Sequence, residues 1–314
     1  MVATKEFFSL QPPSEQKPTS AFNAGKSPMH NMFRDQLTIT TWLCLGAITQ
    51  GLLFAAIGRL AFAPAALIVV YKVLLTYLQV IGLVRNPQMD GVLMKKFSAQ
   101  YPDEAGNYGT KPANDEICVF LIGARCNHPL GMFGPYFKEM GEFFTGSMPF
   151  PDLLATACAL MYLLPVAKDL DAHAAEFGFL GMTNWTNAAD RPTANESLQV
   201  CYFKNVEGLH AFAHSQYHRA GWDWWNKGYT KFPHLSIYHE TYQVPKGAWE
   251  NIYINSHASG ITSTYSSYVD RDTGKTMWAS PVVDASKGLL KTSAGRMSRS
   301  QEDSHEKMGV YNPY

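Results

Sequence analysis

Apolar residues fall in two long uninterrupted runs near the start of the chain and in short, spaced runs afterwards. Residues 36–58 (QLTITTWLCLGAITQGLLFAAIG) hold no charge, and at about 1.5 Å per residue a helix of that length crosses a bilayer core of about 30 Å. After a turn around Arg59, Pro64 stands where a helix can begin. Residues 64–84 (PAALIVVYKVLLTYLQVIGLV) continue the run. The pattern predicts a transmembrane helical hairpin over 36–84. Lys72, in the middle of the second run, costs about 2.5–3.5 kcal/mol on insertion scales, which its apolar neighbours outweigh. A buried helix pair of a soluble protein is the alternative, and runs this long without alternation argue against it.

Downstream the pattern is globular. A polar linker is expected over 85–114, followed by a strand at 117–122 (ICVFLI), a helix at 135–144, strands at 177–185 and 198–203, a helix at 206–225 and a strand at 235–244. The order βαββαβ is the split βαβ, or ferredoxin-like, unit of an α+β protein. Its sheet leaves one face uncovered. Two such sheets packed face to face across a dimer axis close a barrel around a pocket, so a homodimer is expected. The domains read as a flexible tail (1–35), two transmembrane helices (36–84), the linker, a catalytic barrel (115–260) and a partly disordered extension (261–314).

Charge changes the picture mainly by what it excludes. The 314 residues carry 26 Lys plus Arg against 26 Asp plus Glu, and no global field draws in nucleic acid. Cys44, Cys118, Cys126, Cys158 and Cys201 form no CxxC pair, which fits reduced thiols facing the cytosol. Lys26 and Arg34 precede the hairpin, Arg85, Lys95 and Lys96 follow it, and Arg59 stands alone in the turn. By the positive-inside rule both ends face the cytosol, which gives a multi-pass membrane protein, placed in the endoplasmic reticulum, with a cytosolic catalytic domain. The first 30 residues do not form a signal peptide. The triplets at Asn184 and Asn195 match glycosylation acceptors only by chance on this topology.

On a wheel of the 206–225 helix, Val206, Leu209, Ala213, Tyr217 and Trp224 gather on the side that packs against the sheet. His210, His214, His218 and Trp225 fall in the adjoining sector. Three histidines at i, i+4 and i+8 on the edge of a buried face can serve as general bases, or bind a haem, because imidazole titrates near neutrality. Alternatively they cap apolar surface and hydrogen-bond to carbonyls. Arg125, Asn127 and His128 sit where the first strand leaves the sheet and can point into a pocket, or can be turn residues. His239 and Glu240 alternate on the last strand, so only one serves a given pocket. Trp185 is a further candidate for substrate contact. No GxGxxG, Walker loop, HExxH or GxSxG elbow occurs, so NAD, FAD and ATP binding by the usual loops and zinc proteolysis are unsupported, and no metal site is expected.

The segments LIGARCNHPLGMFGPYFKEMG (121–141), FGFLGMTNWTNAADR (177–191), LHAFAHSQYHRAGWDWWN (209–226) and HLSIYHETYQVPKGAWENIYIN (234–255) resemble fungal membrane-associated monooxygenases typified by the polyketide monooxygenase of fumagillin biosynthesis. The resemblance spans about 117–296. It implies a dimeric α+β barrel like those of antibiotic-biosynthesis monooxygenases and oxidative tailoring of a polyketide or related natural product. One departure is the apolar stretch at 146–165, longer than the family pattern, which reads as an inserted lip or as retained intron sequence. Cofactor-free oxygenases of this barrel group act on substrates that ionise to an enolate or phenolate, which passes an electron to O2. A histidine of the 210/214/218 row is then the base, and Asn127 or an indole N–H holds the oxyanion. Two readings compete: a haem-dependent dehydratase or lyase of the same superfamily with a helical histidine as axial ligand, and a non-catalytic membrane-tethered carrier. The expected partners are a hydrophobic small molecule and membrane lipid.

Overall fold

The structure is a computed structural model, and it describes residues 6–18, 34, 36–136, 170–187 and 196–298. The expected helix at 135–144 lies almost wholly outside these residues. The insertion at 146–165, Cys158 and Asn195 lie outside them entirely.

The two apolar runs form helices α1 (Ile39–Ile57) and α2 (Ala63–Val80). The Thr38 hydroxyl caps α1 by accepting from the Thr41 N–H at 3.2 Å. Gly58, at φ 63°, ends it, and a short 3-10 turn, Gly58–Phe62, leads into α2, where a proline occupies the first turn. Neither helix buries a residue. Among the described residues one helical stretch, Ile39–Val80, is long and apolar enough to cross a membrane. The expected closed hairpin differs from this: α1 and α2 do not pack along one another. One candidate span, judged by length and composition, replaces the multi-pass arrangement.

The remaining elements are β1 (Val92–Ala99), β2 (Ile117–Cys126), β3 (Phe179–Thr186), β4 (Ser197–Phe203), α3 (Val206–His214), α4 (Gln216–Gly228), β5 (Leu235–Val244), β6 (Tyr253–His257), β7 (Ser266–Val269), β8 (Thr276–Ala279), β9 (Val282–Asp284) and α5 (Ser293–Arg296). The main sheet is antiparallel in the order β3-β4-β2-β5. Two connections skip a neighbour, which is the strand order of a ferredoxin-like unit. The α3–α4 pair forms the crossover from β4 to β5. Alternation sets the faces. Cys118 and Phe120 of β2, with Met182 and Cys201, pack under Leu209 and Phe212 of α3, whereas Ile117 and Val119 face the other way.

The second face departs from the barrel expectation. Trp249, Ile261 and Ala99, carried by the chain itself, cover its Ile117 end, joined by Tyr101, Tyr202 and Val244. Ala99, Tyr101, Trp249 and Ile261 belong to a smaller three-stranded sheet, β6-β1-β9, and the loops around it, whereas Tyr202 and Val244 are on β4 and β5 of the main sheet. Strand β1 lies in the expected linker and is the central strand of that sheet. Its second half, Phe97, Ser98 and Ala99, is fully buried. Residues 6–18 of the expected flexible tail also fold. Ser9 bridges Val283 on β9, Leu10 donates to the Val282 carbonyl at 2.9 Å, and Ser14 bridges Trp278 on β8. The 261–314 extension is ordered through β7, β8, β9 and α5. Asn184 lies within β3, and its side-chain oxygen is buried without a hydrogen-bond partner.

Lys17 anchors the N-terminal strap. Its ammonium pairs with Asp171 and lies 5.0 Å from the Phe179 ring centroid and 5.2 Å from that of Trp278. Burial lowers its pKa against the opposing pull of Asp171. Lys17→Ala is expected to cost about 1–3 kcal/mol, the range for a hydrogen bond to a charged group. Limited proteolysis should then cut within residues 6–18 before the rest of the domain; a strap as resistant as the wild type would show that Lys17 does not hold it.

Candidate active site

The helix-facing side of β2 and β5 does not close tightly on α3 and α4. Paired strands place Phe120 opposite Thr241 and Ile122 opposite His239. Together with Ile237 these side chains floor a cavity of about 410 Å3, roofed by Leu209, His210 and Ala213 of α3 and by His218, Trp222, Trp224 and Trp225 of α4. The volume suits one small organic guest. The lining is dominated by aromatic and aliphatic carbon. Trp224 stacks on Phe232 at 4.7 Å with nearly parallel rings, and Trp225 packs on the same ring at 5.3 Å. Buried Phe232, Leu235, Ala124 and Cys126 thus fix the indole wall from behind.

The expected single helix over 206–225 is two. Ser215 has extended geometry (φ −71°, ψ 161°) and separates α3 from α4. Its hydroxyl and its N–H both turn back to the Phe212 carbonyl, at 2.6 and 3.0 Å. This local side-chain bond competes with helix propagation. The break shifts the phase of α4, so the three histidines do not form one row. His210 and His218 line the cavity, while His214 is exposed and lies outside the lining.

His218 is half-buried. Its Nδ1 lies 3.1 Å from the Ala213 carbonyl oxygen, and its ring is 5.8 Å from that of Phe212. Burial holds it below the ordinary imidazole value of 6.5. The bond to Ala213 opposes that shift, and neighbouring His239 and His214 add to it. His218 is therefore neutral at physiological pH. His239, across the cavity floor, packs on Phe120 with ring centroids 5.5 Å apart.

Of the residues singled out from sequence, His210, His218, Trp225 and His239 converge on this cavity. Others do not. Arg125 and Trp185 stand on the opposite face of the sheet, and Trp185 is 52% exposed with its indole N–H on the Thr183 hydroxyl at 3.0 Å. Asn127 is exposed and binds through its backbone N–H to the His234 carbonyl at 2.6 Å. His128 is a turn residue: Nδ1 accepts from the Leu130 N–H at 3.1 Å, and its ring meets His234. The oxyanion role considered for Asn127 has no geometric basis in this cavity. Reading period-two alternation outward from His239 would have found Ile237 and Thr241. Trp224 has the sheet-facing direction expected of it on the wheel, and Trp222 joins it in the lining without having been given a direction. The cavity also lies on the helix side of one sheet, not between two sheets.

Residues 117–261 match the family model described as Monooxygenase af470-like. "Monooxygenase af470" of Aspergillus fumigatus is 29% identical over 266 residues, which cover 84% of this chain and 89% of that protein. Over these residues the chain is similar to the af470-like monooxygenases. The matched af470-like region begins at β2, contains the whole β2–β5 unit and every cavity-lining residue, and ends after β6. Among solved structures, a Bacteroides thetaiotaomicron protein of unknown function is 12% identical, with a TM-score of 0.23, covering 41% of this chain and 98% of its own. A Lactobacillus acidophilus protein assigned to the monooxygenases is 12% identical, with a TM-score of 0.26, covering 51% of this chain and 52% of its own.

Proposed function

We propose that this monooxygenase oxidises a hydrophobic polyketide or related natural product in the cavity between the sheet and α3–α4, with no electron donor other than the substrate. The observation that carries the reading is a half-buried imidazole, His218, on the wall of an aromatic-lined cavity of about 410 Å3, where burial favours its uncharged form. An activated methylene gives its proton to a base and becomes an enolate or phenolate. The carbanion combines with O2 to form a hydroperoxide, and loss of water leaves a carbonyl. One oxygen atom stays in the product, the other leaves as water, and the substrate supplies all four electrons. The protein's tasks are to take the proton, steady the anion and exclude bulk water. Imidazole serves the first and indole N–H groups of the α4 tryptophans the second.

Membrane attachment supports delivery of a greasy substrate. Residues 8–10 and β1 both bind β9, so the segment between them, which includes α1 and α2, leaves and returns to one sheet. The apolar stretch Ile39–Val80, the one candidate for crossing a membrane among the described residues, lies within that segment. Aromatic surface around Tyr238 and Tyr242 remains exposed beyond the chain's own cover, where a second copy would close a barrel.

The test is to delete the gene, isolate the metabolite that accumulates and offer it to purified protein under 18O2. One labelled atom in the product and one O2 consumed per turnover are expected. Binding without O2 uptake would leave only a carrier. An intense absorbance band at the blue end of the visible range in the purified protein would instead mark a haem on His218. Turnover should fall as pH drops through the lowered pKa of His218, because only neutral imidazole accepts a proton. The acid limb therefore lies below 6.5, and a limb above that value would assign the base elsewhere.

A further inference from the structure

The break between the two crossover helices does more than turn the chain. In an unbroken helix the Ala213 carbonyl would accept the N–H four residues on. Extended Ser215 interrupts that ladder, and the His218 and Arg219 N–H groups turn to the Ser215 carbonyl at 3.3 and 3.0 Å. The Ala213 oxygen instead meets His218 Nδ1 at 3.1 Å. A carbonyl oxygen only accepts, so Nδ1 must carry the proton. In neutral imidazole the other nitrogen then holds a lone pair.

We propose that the Ser215 break is a tautomer lock: the Ala213 carbonyl holds His218 as the Nδ1–H imidazole, and Nε2 is the atom that takes the substrate proton. This rests on the oxygenase reading and adds to it which histidine acts, through which nitrogen and by what support. The arrangement parallels the carboxylate that orients the imidazole of a catalytic triad, with a backbone carbonyl in that place. On accepting the proton at Nε2 the ring becomes imidazolium, and Nδ1–H stays on Ala213. Ala213 and Ser215 act through His218 and are positioning residues. His210 on α3 and His239 on β5 also line the cavity, but no hydrogen bond from either ring to a backbone carbonyl is seen among the described residues.

The test reads the tautomer directly. Full-length protein carrying 15N-histidine, held in lipid nanodiscs at pH 8, is examined by long-range proton–nitrogen correlation. The His218 pattern is assigned by its loss in His218→Gln, or, should that variant not fold, by magnetisation transfer from the Phe212 ring 5.8 Å away. A protonated Nδ1 and an unprotonated Nε2 are expected, the reverse of the form a free histidine side chain favours. A protonated Nε2, or a rapidly exchanging mixture of the two forms, would overturn the lock. The outcome is separable from the oxygenase reading. A correct tautomer in a protein that consumes no O2 removes the reaction and leaves the lock, whereas a wrong tautomer in an active enzyme removes only the lock.

Discussion

His218→Ala should slow turnover by about 10²- to 10⁴-fold, the span that a positioned general base contributes, and most of the loss should fall on kcat. The side chain is on the cavity wall, neutral and tied at one nitrogen, so its removal takes away the proton acceptor while the aromatic lining that binds substrate stays. His214→Ala is the matched control. It removes an imidazole from the neighbouring helix end that is exposed and outside the lining, and turnover should stay within about twofold of wild type, as expected for a surface change of a few tenths of a kcal/mol. Steady-state O2 uptake on the metabolite that accumulates in the deletion strain measures both. Equal losses in the two variants, or none in either, would remove the base from His218. A thermal melt of His218→Ala guards against reading misfolding as chemistry.

The largest effect on stability is expected at Gly208. Asn205 caps α3 by accepting from the Gly208 N–H at 2.9 Å, and the first turn rests directly on the backbone before β3. A Cβ at 208 would stand 2.1 Å from the Phe177 carbonyl oxygen. Main chain cannot rotate aside as a side-chain tip can, so Gly208→Ala must lift α3. That movement loosens Leu209 and Phe212 from Phe177, Phe179 and Cys201, and carries His210 away from the cavity. The usual gain in helix propensity on replacing glycine, about 1 kcal/mol, is outweighed by overpacking that costs about 1–3 kcal/mol plus the lost contacts. Melting should drop by several degrees, and activity should fall with it. A more stable Gly208→Ala would show that α3 does not sit this close to the strand.

Local order reveals which parts of this architecture a linear reading can find. The 235–244 strand was legible to the residue because branched and aromatic side chains recur along it (Leu235, Ile237, Tyr238, Thr241, Tyr242 and Val244) and it ends at turn residues on both sides. The βαββαβ order followed from such runs, and the sheet confirms its strand order. Strand β1 escaped because three of its eight residues are Lys95, Lys96 and Ser98, and its apolar positions are completed by β6 and β9, more than 150 residues away. The α3–α4 break escaped for a different reason. Ser215 inside an otherwise periodic helix carries little local signal, and the bend depends on bonds to Phe212 that only the folded turn makes. Once the phase shifts there, a wheel drawn across it misplaces the α4 residues, His218 among them, relative to His210 and His214. Arg125 and Trp185 failed on parity: each was assigned to a pocket without a stated face, and each falls on the other side of the sheet from His239.

The binding of residues 8–10 to β9 governs the timing of biosynthesis. Residues 8–10 are made before the two apolar helices, β1 follows those helices, and β9, which joins the two, comes about 180 residues after β1. Until then residues 8–10 lack their strand partner, while α1 and α2 have already left the ribosome. Both apolar helices are therefore made before the β1–β9 seam can shut, and truncation ahead of residue 282 should leave residues 8–10 without their strand partner.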